Sequence, residues 1–294
     1  MPLEALRGGP RPLSEERSVS LLACGVDIST DCEDLAAFLD LVLPRPTQRY
    51  PISRRHHFAV RRDGEGYRIE EDGVARAIES TLEAAGYALT ARMHALALAA
   101  LPEFTKVHAG CASWKGRRLL AVGPPHAGKT TLMIRLLSEG FTVHGDELTL
   151  VKNGEALPYP RRFGVRPPTL ALIPSLAGVG ADGDAVVVTD PAQLGSEWVI
   201  ERGPVAAVFY LEPNHEGHTR LEPCPKYLMV QRVMSQSTAP QAGRQQWIRD
   251  ICDMLDRAST FTVKLGNLDE AVSVLKDVLR RTPAVAVDPA TETV

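Results

Sequence analysis

Two clusters of residues in this chain have the types and spacing to handle phosphate. The first is Gly123-Pro124-Pro125-His126-Ala127-Gly128-Lys129-Thr130, which fits G-x-x-x-x-G-K-[ST]. In that pattern the glycines and the bend turn several backbone N–H groups inward on an anion. The helix that follows aims its N-terminal dipole at the same point. Lys129 then reaches the β- and γ-phosphates of a nucleotide, Thr130 offers its hydroxyl to magnesium, and Thr131 completes the nucleotide-binding set. The second cluster is Asp146-Glu147. Adjacent carboxylates at a strand end can divide two tasks: one holds magnesium while the other accepts a hydroxyl proton. On its own such a pair also fits a solvated turn.

The flanks supply the elements that must position these groups. Leu119-Leu120-Ala121-Val122 reads as a buried strand entering Gly123. Thr131 to Leu137 keeps helical spacing, and Gly140 stops that helix. Phe141-Thr142-Val143-His144 is a short strand that delivers Asp146-Glu147. Leu148 to Lys152 is the next strand, closed by the turn Asn153-Gly154. Beyond it, Arg161, Arg162 and Arg166 sit on a proline-bracketed segment suited to clamping an anion, because arginine offers a rigid fork to phosphate or carboxylate. Arg161 is the first choice and the other two are secondary. Glu212, ending the apolar run from Val205, is the internal rival to Asp146-Glu147 as the magnesium carboxylate.

The run from His108 through Glu147 resembles the catalytic core of HPr kinase/phosphorylase and its relatives, which share a fold with phosphoenolpyruvate carboxykinase. The matching elements are His108-Ala109-Gly110, the Gly123–Thr130 loop and Asp146-Glu147. Lys129 lies 21 residues after His108, and Asp146 lies 17 after Lys129. The resemblance is tight over that core and looser over residues 105–280. It implies an α/β kinase core in which Asp146 activates an acceptor hydroxyl and His108 supports that carboxylate or the phosphoryl group in transfer. It also implies that Lys129 binds phosphates while Thr130 and Glu147 help hold Mg2+, with ATP as the donor. For Arg161 it implies a phosphate or substrate ligand. Two departures stand out. The second acid is Glu147 where the family usually has Asp, and no copy of the long carboxy-terminal signature that engages the HPr protein is found. The chain therefore looks more like the divergent relatives that phosphorylate free serine or precursor peptides.

The remaining sequence carries less chemistry. Val19 to Val26 reads as a strand, Asp31 to Leu43 as a helix, and His56 to Arg62 with Tyr67 to Ile69 as a hairpin around Asp63-Gly64-Glu65-Gly66. Ala75 to Leu101 reads as two helical segments joined near Gly86. The neighbours His56 and His57 point to opposite faces of a strand and make poor partners for one ion. His94 fits a packed core position, Asp182-Gly183-Asp184 lacks a calcium loop's spaced ligands, and His215 to His218 fits a hairpin turn better than a metal pair. Residues 174–195 read as a loop. Three more helices are expected over 225–234, 245–255 and 268–281, with a strand at 261–265.

Domain boundaries follow: a tail over 1–17, an α+β portion over 18–104, the α/β kinase-type core over 105–282, and a tail over 283–294. The 294 residues are 44% hydrophobic and 23% charged, with a net charge of −3 that gives no basic field for nucleic acid or anionic membrane. Five cysteines without a CxxC pair fit reduced thiols. With no apolar leader and no long apolar run, a cytoplasmic protein is expected. The function expected is an ATP-dependent kinase acting on the hydroxyl of a peptide, small protein or amino acid, and homo-oligomers are common in the resembled family. The alternative is a nucleotide-dependent regulatory protein with no phosphoryl acceptor.

Overall fold

The structure, a computed structural model, describes residues 13–48, 50–64, 66–172, 187–214 and 217–283. In chain order it opens with β1 (Glu15–Leu21), β2 (Cys24–Thr30), α1 (Glu33–Val42), β3 (Thr47–Gln48), β4 (Arg54–Asp63), β5 (Gly66–Glu71), β6 (Val74–Glu79) and α2 (Leu82–Ala99). Next come β7 (Thr105–Val107), β8 (Ala109–Trp114), β9 (Arg117–Val122), α3 (Lys129–Ser138), β10 (Thr142–Gly145), β11 (Thr149–Lys152), β12 (Glu155–Pro158), β13 (Phe163–Val165) and α4 (Pro167–Leu172). The chain continues with β14 (Val187–Thr189), β15 (Val199–Ile200), β16 (Gly203–Pro204), β17 (Ala207–Pro213), β18 (Arg220–Pro223), α5 (Lys226–Ser235), β19 (Ser237–Thr238), α6 (Arg244–Arg257), β20 (Ser259–Leu265) and α7 (Leu268–Arg281). The fold is mixed α/β. Two compact units divide it: Met1–Arg45 with Tyr50–Leu101, and Pro46–Arg49 with Pro102–Val294.

In the first unit the strands form one sheet in the order β1-β2-β4-β5-β6. The β2–β4 pair is parallel and joined through α1, while its neighbours are antiparallel. Val26 and Ile28 of β2 and Ile69 of β5 are buried on strands that contact the helices, whose own buried positions include Leu35, Leu39, Leu89 and Met93; Phe58 and Val60 of β4 are buried in the same sheet.

Three expectations are corrected here. The single strand over Val19 to Val26 is two strands, because Leu22 takes a left-handed φ of 56° and turns the chain between Leu21 and Cys24. The first strand also starts at Glu15, inside the segment read as a tail. Ala75 to Leu101 is strand then helix: β6 pairs with β5, so its alanines and Ile78 serve a sheet edge. Gly86 does not separate two helical segments. It lies within α2, where a Cβ would overlap the Phe38 ring of α1, so the glycine allows close helix contact.

The second unit is built on a six-stranded sheet in the order β10-β8-β9-β17-β20-β18. The neighbours β9, β17 and β20 are parallel, so their C-terminal ends lie side by side. Against one face pack α3 and α7 in a core that includes Met133, Phe141, Phe209 and Leu275. The other core joins Leu120 and Val208 to Val107, Met229, Ile251 and Met254, from a second sheet and helices α5 and α6. That second sheet runs β16-β12-β11-β7-β19. The tight turn Asn153-Gly154 closes β11 onto β12 as expected, with φ of 54° and 79°.

Asp250 on α6 is fully buried and accepts from the Thr105 hydroxyl (2.7 Å), Gln246 Nε2 (2.6 Å) and the Asn153 N–H (3.2 Å). It thereby ties that helix to the start of β7. The turn read before Thr219 to Glu222 does not close a hairpin onto β17, because β20 lies between β17 and β18. His215 and Glu216, residues 1–12, Asp182-Gly183-Asp184 with the rest of 173–186, and residues 284–294 lie outside the described residues. Of the 174–195 segment, Val187–Thr189 is a strand paired with β13.

Candidate functional site

β9 brings the chain to the candidate loop along four fully buried side chains, Leu119 to Val122. Gly123 is where the path needs a missing side chain: a Cβ there would meet the Leu211 carbonyl at 3.0 Å and Ala127 Cβ at 3.2 Å. Gly128 is the second such point. Its φ of 88° is left-handed, and a Cβ would sit 2.8 Å from Leu265 at the end of β20. The turn is closed by the Ala127 N–H donating to the Pro124 carbonyl (3.2 Å), and Lys129 begins α3. Pro125 and His126 are exposed on the rim. Gly110 on β8 lets α3 approach, since a Cβ there would lie 2.9 Å from Met133 Cγ.

Lys129 folds over its own loop. Its Nζ donates to the carbonyls of Gly123 (2.7 Å) and Pro124 (2.8 Å), and the residue is 6% exposed. Burial pulls the ammonium pKa down to about 8, against the upward pull of Asp146 and Glu147. Thr130 donates its hydroxyl to Asp146 Oδ2 at 2.6 Å. Thr131, one residue on, shares a 2.8 Å hydrogen bond with the Thr169 hydroxyl of α4.

Asp146 follows β10 directly and is 5% exposed. Its carboxyl is raised to about 6. Burial is the chief cause, Glu147 adds to it, and the Thr130 hydroxyl and Arg161 oppose it. The strand end carrying it is gripped from the other side. His144 Nδ1 lies 2.7 Å from the Val199 carbonyl and its Nε2 lies 2.8 Å from the Ser113 hydroxyl. A carbonyl only accepts, so Nδ1 carries the proton and Nε2 accepts from Ser113. Burial takes the His144 pKa down to about 4, which keeps the ring neutral. Trp198 Nε1 donates to the His144 carbonyl at 2.9 Å, completing the grip.

Glu147 is half exposed and pairs with Arg161 at 2.9 Å. His108 is partly buried between β7 and β8, and its N–H donates to the Gln236 carbonyl at 2.7 Å. Burial lowers its pKa, Lys129 lowers it further, and Glu147 opposes. His108, Lys129, Asp146, Glu147 and Arg161 therefore lie within electrostatic reach of one another. Glu212, the rival acid, is already paired with Arg232 at 2.8 Å. Arg232 also lies 4.5 Å over the Tyr210 ring, on the side of the sheet away from α3.

The three arginines after β12 have three different partners. Arg161 holds Glu147, Arg162 forms a nearly buried pair with Asp190 (2.7 Å), and Arg166 donates to His126 Nδ1 at 2.6 Å. Asp190, Thr169 and the grip of His144 and Trp198 were not singled out from the sequence. Pro167-Pro168 before Thr169 marks only a helix start, and no local pattern pairs positions dozens of residues apart.

Chemically, the loop backbone and Lys129 can cradle phosphates, while the hydroxyl of Thr130 and the carboxylate of Asp146, with that of Glu147 next in sequence, offer hard oxygen donors. Such an all-oxygen set fits Mg2+. Among the described residues no helix is long and apolar enough to cross a membrane. No protein-family model and no curated protein matches the chain. Among solved structures it is similar to the HPr(Ser) kinase/phosphatase from Coxiella burnetii, with 13% identity and a TM-score of 0.29, over 60% of this chain and 93% of that one. The structural relationship is a distant one.

Proposed function

We propose that the second unit is an ATP-dependent phosphotransferase that acts on an alcohol hydroxyl of a peptide, small protein or amino acid. The observation that carries this reading is Asp146: a buried carboxyl raised to about 6, 2.6 Å from the first-turn hydroxyl of Thr130. A general base works best with a pKa near the working pH, and burial gives this carboxyl that property. The Gly123–Thr130 loop holds the phosphate chain of ATP, and Lys129 leaves its loop carbonyls to neutralise the β- and γ-phosphates. Thr130 and Glu147 would hold magnesium, which would supply charge neutralisation to the phosphates. Asp146 accepts the proton of the acceptor hydroxyl as its oxygen attacks the γ-phosphorus and the bond to the β-phosphate oxygen breaks. His108, within electrostatic reach of Lys129 and Glu147, steadies the charge of the carboxylate or of the phosphoryl group. Preorganised charge at the loop supplies most of the rate.

The test is transfer from γ-labelled ATP with magnesium to free serine, free threonine and a pool of short hydroxyl-bearing peptides. Lys129→Ala and Asp146→Asn are the controls. Label in an acceptor, lost in both variants, is the expected result. Nucleotide bound and slowly hydrolysed, with no acceptor accelerating its loss, sinks the kinase reading in favour of a nucleotide-dependent regulator.

A further inference from the structure

The segment from Arg161 to Thr169 touches the candidate loop at His126, and besides the Arg162–Asp190 pair its side chains are fastened at three places. Arg161 is fastened to Glu147, Arg166 to His126 and Thr169 to Thr131. The first arginine has its charge met by a carboxylate, as does Arg162, whose side chain is 8% exposed beside Asp190 at 5%. Arg166 differs. Its guanidinium is exposed, its partner is an imidazole nitrogen, and among the described residues no carboxylate pairs with it. Among the described residues a cation without a carboxylate partner is thus held on the rim of the candidate loop.

Two features hold it there. His126 has a left-handed φ of 65°. For a residue other than glycine that conformation is uncommon and persists where its surroundings fix it. The Thr169–Thr131 hydrogen bond (2.8 Å) anchors the segment three residues beyond Arg166 to the first turn of α3. His126 Nδ1 acts here as an acceptor, so the arginine can exchange a neutral partner for an anionic one without stripping a carboxylate of its mate.

We infer that Arg166, and not Arg161, is the arginine that grips the phosphate chain in the Gly123–Thr130 loop, with His126 holding it in place until the ligand arrives. This rests on the nucleotide-binding reading above and assigns a further ligand residue within it. Arginine suits the role because its planar fork meets two phosphate oxygens at once.

The test is the dissociation constants of ATP and of inorganic tripolyphosphate, by titration calorimetry, for the intact protein and for Arg166→Ala, Arg166→Lys, Arg161→Ala and Lys129→Ala. Arg166 is exposed, so thermal unfolding of its variants should match the parent. Arg166→Ala should weaken both ligands equally, by about tenfold to a hundredfold, the loss of one charge-assisted contact. Arg166→Lys should recover part of that, and Arg161→Ala should change either constant less than about threefold. The assignment fails if Arg166→Ala binds both ligands like the parent while Lys129→Ala does not. It fails equally if only ATP is weakened, or if Arg161→Ala loses as much as Arg166→Ala. If the intact protein binds neither ligand, the nucleotide-binding reading falls and takes this assignment with it.

Discussion

Glu71 at the end of β5 and Asp146 after β10 are nearly sealed from solvent, at 3% and 5% exposure. Glu71 accepts from Arg92 of α2 at 2.7 and 3.0 Å and pairs with Arg76 of β6 at 3.1 Å. Those guanidinium groups, Arg92 above all, hold its pKa below the ordinary value. Asp146 receives one neutral hydroxyl, has an acid for a neighbour, and is raised to about 6. Both side chains are shut off from solvent, but burial dominates the shift of Asp146 while the arginines dominate that of Glu71, and the two titrate in opposite directions. A buried carboxylate fully met by cations fastens one element to another. One left short of positive charge stores an unfavourable free energy that a cation or a proton can release, which is the condition expected where chemistry takes place.

The sharpest way to break this contrast is Asp146→Asn. Under the kinase reading, transfer should fall about a thousandfold, the scale of a lost general base, while nucleotide affinity stays within a few-fold. Affinity lost as severely as transfer would make Asp146 a ligand-holding group alone. Chemical denaturation then compares the two acids. Glu71→Gln should lose about 2 kcal/mol, because two arginines are stripped of their partner. Asp146→Asn should gain about 1 kcal/mol or more at pH 8, because a penalised charge is removed. A loss of stability in both variants would erase the distinction.

The pH dependence sharpens the comparison further. The Asp146 carboxyl is raised in the fold, so its protonated form is the favoured one. Its stability contribution is present below about pH 4 and is lost as pH rises to about 6. Glu71 is shifted the other way, and its contribution appears above the ordinary glutamate range and is lost on acidification. For activity, kcat/KM should rise through pH 6 as Asp146 ionises and fall through about 8 as Lys129 loses its proton. An Asp146→Asn variant that keeps the acid limb would assign that limb elsewhere. Least affected should be the half-exposed pair Glu147–Arg161: Arg161→Ala should cost less than about 1 kcal/mol of stability by thermal unfolding.

The parts of this site readable in advance are those written in contiguous residues. Strand, Gly123–Thr130 loop, helix and the Gly140 stop lie end to end, and each carries a local signal: apolar run, glycine, helical period, glycine again. The Asn153-Gly154 turn was legible for the same reason. The turn at Leu22-Ala23 was not, because a leucine in the left-handed region has no compositional mark. β6 was hidden by alanines that suit a helix, until pairing with β5 decided otherwise. The insertion of β20 between β17 and β18 is a long-range choice that no neighbouring residue announces. The arginines show the limit most plainly. Type and spacing put three candidates on one segment, but which of them is already spoken for depends on Glu147, Asp190 and His126, 14, 28 and 40 residues away.

The folding of Lys129 onto Gly123 and Pro124 also has a calorimetric consequence. With a pKa of about 8, roughly half of these side chains lack their extra proton in a pH 8 buffer. A polyanion settling in the loop restores the affinity for that proton, and the buffer must give it up. The heat released on binding would then depend on which buffer is used: HEPES, which releases protons at a smaller enthalpic cost, should show a more exothermic association than Tris. The slope of heat against buffer ionisation enthalpy would count the protons drawn in with the ligand.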